Sequence, residues 1–203
     1  MNATPTTAKD ARRSAVPFWG LRWWVRRSTT PAHDDFGRRR SVSARVELRR
    51  AATELLGADP GAPTVDRFGR WQWPELGVHG STSSVPGIAA VALSTVGPVG
   101  VDVQDDRQRP HTMLWARRKL GLPDAPSVER AVGLGDFSEI EAMLKAAGWV
   151  GRQPDVVPVP PWSPGWRRVS DAWWVRSTYL PALRAHVALA AGQPLPVSIE
   201  GLS

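Results

Sequence analysis

The chain predicts an α+β fold, and three observations carry that expectation. Apolar residues recur at helical spacing in several separate stretches, short continuous apolar runs stand between and after them, and the helices do not alternate one for one with strands as a doubly wound sheet requires. At 203 residues, 42% of them hydrophobic, the chain is long enough to bury a substantial core.

Residues 1–37 are polar, rich in Thr, Ala and Arg, and interrupted by Pro5, Pro17 and Pro31. They read as a flexible arm with one strand over 21–25, whose tryptophans cover another part of the fold. Over 41–57 the residues Val42, Val46, Leu48, Ala52, Leu55 and Leu56 keep near-helical spacing, and Gly57 with Asp59-Pro60 stops the helix. Gly69 to Pro74 reads as a turn into an extended piece, and 88–94 as a buried strand. Gly97-Pro98 then turns the chain into 99–103, which predicts a hairpin-like pair of core strands.

After Pro110 helical spacing returns over 113–120, briefly over 128–132, and most clearly over 137–147. Five prolines between 154 and 164 predict a stiff extended connection. Strands over 172–178 and 186–190 follow. The expected organisation is the arm (1–37), an N-terminal half (38–95) and a C-terminal half (96–203) in one body, with a monomer as the expected state.

Composition narrows the function classes. The chain has no cysteine, which excludes disulfides and thiolate chemistry, and makes an intracellular, cytoplasmic protein the expectation. No apolar run reaches the roughly 18 residues that span a bilayer. Arg12-Arg13 suggests an export signal, but Arg22, Arg26 and Arg27 interrupt the segment where its apolar core should stand. The net charge is +7, and only three of the 26 basic residues are lysines. Guanidinium forks suit phosphates and carboxylates, although a GC-rich genome also favours Arg without functional pressure. A basic nucleic-acid-binding module would draw on charge alone, since basic residues alternate with aromatics only around Trp23 and Trp24; no nucleic-acid partner is expected.

Two stretches carry the chemistry. One is Val99-Gly100-Val101-Asp102-Val103-Gln104, where Asp102 is expected to end a buried strand. The other runs from Phe137 to Gly148, where Ser138-Glu139-Ile140-Glu141 has the form of a capping box and Glu141 is expected to open a helix. Asp102 and Glu141 lie 39 residues apart. Taken alone, the first is a core strand with a solvated Asp, and Glu141 with Lys145 a surface ion pair.

Together these stretches resemble the 4'-phosphopantetheinyl transferase superfamily, whose members carry a G-V/I-D-V/I-E strand and a W-x-x-K-E-A-x-x-K helix. The early helix from Ala44-Arg45, the turn Gly69-Arg70-Trp71 and the run His79 to Gly87 fall in the family's order. The resemblance implies two pseudo-symmetric halves with the cofactor between them. It implies Mg²⁺ held by Asp102, Glu141 and position 104, coenzyme A as substrate, and transfer of phosphopantetheine to the serine of an acidic acyl or peptidyl carrier protein. Mg²⁺ would neutralise the diphosphate under attack. Glu141 would take the serine proton, Lys145 would stabilise the leaving nucleotide, and Arg45, Arg70, Ser83 and Ser84 would bind the cofactor.

The chain departs from that pattern at four positions. Gln104 replaces a ligand Glu, Ser84 stands where the family has His, Ile140 replaces the first helix Lys, and Phe137 replaces Trp. A second reading therefore stands beside the transferase: a repurposed relative without transfer activity, acting on or binding a carrier-bound intermediate in specialised polyketide or peptide biosynthesis. His79 lies five residues before Ser84 and either points into the cleft or packs. His186 reads as a core histidine, and the Arg117-Arg118-Lys119 run as a solvated face or a docking face for the carrier.

Overall fold

The structure, a computed structural model, describes residues 20–28, 42–107, 110–123, 131–149, 151, 153–197 and 199–200. Ten strands and three α-helices run in the order β1 (Leu21–Arg27), α1 (Val42–Leu56), β2 (Thr64–Val65), β3 (Trp71–Trp73), β4 (Val78–Val85), β5 (Ile88–Ser94), β6 (Val99–Asp105), α2 (Pro110–Lys119), α3 (Leu134–Ala147), β7 (Arg167–Ser170), β8 (Trp173–Leu180), β9 (Ala185–Ala191) and β10 (Ile199–Glu200) among the described residues. Single 3-10 turns, Pro74–Leu76 and Pro181–Leu183, precede β4 and β9. The fold is α+β. None of the described helices is long and apolar enough to cross a membrane.

Two sheets form, ordered β10-β1-β5-β4-β3-β2 and β6-β9-β8-β7. All pairs are antiparallel except β1 with β10. Side chains alternate along each strand, and that alternation sorts the apolar residues into layers. Leu21, Trp23 and Val25 of β1, with Val99, Val101 and Val103 of β6 and Val187 and Leu189 of β9, fill the core between the sheets. Trp24, between two of these, faces the other way and packs with Val91, Leu93 and the α1 residues Leu48, Ala51 and Ala52. Ile140, Ala142 and Met143 of α3 cover the outer face of the second sheet against Val175, Ala188 and Ala190. The layers therefore run helix, sheet, sheet, helix.

Several expectations need correction. Residues 88–94 and 99–103 are both strands, but they form no hairpin. Both edges of β5 are taken by β1 and β4, so the chain turns through Gly97 and Pro98 into the other sheet, where β6 pairs with β9. The strand expected over 21–25 is present and runs Leu21–Arg27, but it is buried and paired on both sides within the first sheet. Asp102 lies in the interior of β6, and Glu141 in the middle of α3. That helix begins a turn earlier than expected, because the Asp136 carboxylate accepts the Gly133 N–H at 3.0 Å. Its end is a left-handed Gly148 (φ 70°), with the Trp149 N–H returning to the Leu144 carbonyl. The short helix expected over 128–132 falls largely outside the described residues, and 131–132 are not helical.

Candidate functional site

β6 places the site. With Val99, Val101 and Val103 turned into the core, alternation turns Gly100, Asp102 and Gln104 toward α3. Gly100 is where the helix comes closest: a Cβ there would stand 1.9 Å from the Ala142 carbonyl oxygen and 2.7 Å from the Ala146 nitrogen. Only hydrogen fits between strand and helix at that point. One turn to either side, Ser138 and Lys145 can then reach β6.

Ser138 Oγ donates to the Asp102 carbonyl at 3.1 Å. Lys145 Nζ donates to Asp102 Oδ1 at 2.8 Å and to the Val101 carbonyl at 2.9 Å. Ser83 Oγ, from β4, donates to the same Oδ1 at 2.8 Å, and the Gln104 amide donates to Oδ2 at 2.7 Å. Ser81 Oγ accepts the Val101 N–H at 3.0 Å. Side chains of β4 and α3 thus satisfy the edge of β6 where a neighbouring strand would otherwise pair. Asp102 is 3% exposed and carries three donors, one of them an ammonium.

The positions of the other expected site residues follow from the same framework. Glu141 is half-buried and lies between Ser138 and Lys145 on the helix face turned to β6, since residues three and four apart share a face. Ser84 follows Ser83 on β4 and so belongs to the opposite strand face. Arg45 is exposed on α1, which covers the far side of the first sheet. Arg70 and Lys145 line one cavity of about 180 Å³, together with Phe68, Trp71, Ser81 and Thr82. The Arg70 fork is engaged by Asp66 (2.7 and 2.8 Å) and by the Ala146 carbonyl (3.3 Å), and stacks on Phe68, so it ties the 66–70 turn to the end of α3.

Mg²⁺ prefers oxygen ligands at about 2.0–2.1 Å in octahedral array. Asp102 instead meets a lysine ammonium and two neutral donors, and the Gln104 group aimed at it is an NH₂, which cannot ligate a cation. Among the described residues no three His, Asp or Glu side chains gather as a metal-binding group. These residues do not fit Mg²⁺ as arranged.

A second buried network went unread in the sequence. Glu139 is fully buried, and its Oε1 receives both the Ser177 hydroxyl and the Arg167 guanidinium. Arg167 also donates to the Pro160 and Pro161 carbonyls at 2.9 and 3.1 Å, pinning the proline-rich connection to the helix. Burial pushes the Glu139 carboxyl above the usual carboxylate range against the pull of those two donors. The available signal was an acid in line with Met143 and Ala146, on an otherwise apolar stripe.

The Arg117-Arg118-Lys119 run is not a solvated face. Arg117 is 8% exposed and holds the Pro123 carbonyl, while Lys119 Nζ reaches the Pro154 carbonyl at 2.5 Å. Only Arg118 of the three is exposed.

Both described strand histidines are half-buried. Burial lowers the proton affinity of His79, helped by Arg70, and burial likewise lowers that of His186, which packs against Tyr179. A lowered folded-state pKa contributes stability that is present above the ordinary value of 6.5 and lost as pH falls through the depressed value. The double variant His79→Gln/His186→Gln is therefore expected to lose less stability than the parent on acidification below pH 6.5. Urea unfolding across that range measures this, and parallel profiles would refute it.

A scan against protein-family models finds no match to this chain, and a search of curated proteins finds none either.

Proposed function

We propose that the chain is a repurposed relative of the 4'-phosphopantetheinyl transferases, built from two pseudo-symmetric halves. It recognises a phosphopantetheine-bearing ligand, as coenzyme A or on an acidic carrier protein, in the cleft along β6, and it does not carry out metal-dependent transfer.

Strand registers support the paired halves. The units β1-α1-β3-β4-β5 and β6-α3-β7-β8-β9 have the same order and the same pairings: Leu21 opposite Ser94 corresponds to Val99 opposite Ala191, Arg27 opposite Ile88 to Asp105 opposite Ala185, and Gly80 opposite Leu93 to Val175 opposite Ala190. The observation that carries the functional reading is the Asp102–Lys145 pair. The lysine neutralises the carboxylate that the family resemblance would give to Mg²⁺, and it also stands in the wall of a cavity large enough for a phosphate group.

Active transfer remains the second reading, favoured by the place of Glu141 between Ser138 and Lys145. Incubating the protein with apo carrier, coenzyme A and Mg²⁺, followed by intact mass measurement, separates the two. The expected result is no gain in carrier mass, alongside calorimetric binding of coenzyme A that Lys145→Met weakens by about tenfold, the effect of losing one charge-assisted hydrogen bond. A mass gain abolished by Asp102→Ala would install the transferase instead. Absence of both mass gain and coenzyme A binding would reject both readings.

A further inference from the structure

A second cavity, of about 370 Å³, opens at the other end of β6 from the one beside Lys145. The two hairpin tips meet there: Gly87 between β4 and β5, and Leu183-Arg184 between β8 and β9. Arg27, Arg107 and Arg184 line it with Asp105 and Asp106. The geometry points to a binding site for a small phosphorylated anion, distinct from the Asp102 site and independent of the function proposed for it.

Arg184 gives the strongest reason. It is the one non-glycine among the described residues with a positive φ, at 49°. The corresponding position of the other hairpin, just before Ile88 as Arg184 stands just before Ala185, is Gly87 with φ 81°. The left-handed conformation is easiest for glycine and disfavoured for a long side chain. The first hairpin uses the easy residue, whereas the second holds a strained arginine whose side chain is 79% exposed and turned onto Asp106, Nε to Oδ2 3.3 Å. Strain kept at an exposed position argues for a role outside the fold.

The neighbouring charges fit the same ligand. Among the described residues Arg27 has no carboxylate partner, and it donates one N–H to the Ala182 carbonyl, 3.1 Å away. Arg107 is held by Asp105 at 2.6 Å, and Asp106 also accepts the Tyr179 hydroxyl at 2.9 Å. Two of the three guanidiniums are therefore held by aspartates, and the third, Arg27, meets only a backbone carbonyl among the described residues. Three planar forks around one cavity suit a phosphate, whose oxygens they bind in pairs. Entry of the anion would displace the aspartates, so they compete with it.

The test titrates the full-length protein with inorganic pyrophosphate while following the arginine Nε–Hε resonances by NMR. Reading Arg27 and Arg184 directly keeps this site separate from the cavity beside Lys145. Saturable shifts of both resonances are expected. Arg27→Gln should weaken binding by about tenfold. Arg184→Gly should do the same without loss of thermal stability, because glycine suits that backbone. Asp106→Asn should tighten binding. Overturning results are the absence of a saturable shift, affinities unchanged in Arg27→Gln and Arg184→Gly, or binding of a glutamate-rich peptide where pyrophosphate fails.

Discussion

Gly100→Ala is expected to cost this protein about 3 kcal/mol or more, the upper range for overpacking a tight core. The added methyl would lie 1.9 Å from the Ala142 carbonyl oxygen. The obstacle is helix backbone, which no rotamer change can move, so α3 must lift from β6 as a body. That displacement would also lengthen the bonds from Ser138 and Lys145 to β6, linking one methyl group to both stability and the site. For a chain of this size the loss corresponds to a fall in melting temperature of roughly 6–12 °C. Gly133→Ala is the control: a Cβ there meets nothing within 4 Å at an ordinary φ of −122°, and less than about 1 kcal/mol should be lost. Equal melting temperatures for Gly100→Ala and the parent would show that the strand–helix contact is softer than described.

Lys145→Met is expected to come next, at about 2 kcal/mol by urea unfolding, below the range for a fully buried ion pair because the lysine side chain is 24% exposed while Asp102 is buried. The methionine keeps most of the packing of the lysine stem, so the loss reports the ammonium. It leaves Asp102, at 3% exposure, with Ser83 and Gln104 as its side-chain donors among the described residues. Adding Asp102→Asn to Lys145→Met should recover part of the loss, because the stranded charge is then gone. If the double variant is as unstable as the two single losses added, the residues do not act as a pair and the argument for an internally neutralised carboxylate fails.

Features governed by local periodicity were legible in the sequence. The apolar spacing of α1 and α3 and the runs of β5, β6 and β9 each name an element because one face, or both, is buried. The strand at β4 was hidden: His79 to Val85 is serine-rich, and Ser81 and Ser83 are explained by their bonds to Val101 and Asp102 on another sheet. The partner of β6 was likewise a long-range fact, since a turn signal at Gly97-Pro98 marks a change of direction without saying which sheet the chain enters. At the site, the helix spacing puts Glu141 and Lys145 on one face. It could not tell that Lys145 would reach back to Asp102, nor that Arg70 would be engaged by Asp66. Both depend on distances across the fold.

The stacking of the two sheets has a consequence during synthesis. The strands of the first sheet from β1 to β5 leave the ribosome well before β9, the pairing partner of β6. Until then the inner surface bearing Trp23, Val25, Ala90 and Ala92 has only β6, itself still without its pairing partner, to cover it. A nascent chain at this stage presents a sticky, half-finished sandwich, a natural client for chaperones and a point at which truncated translation products would clump.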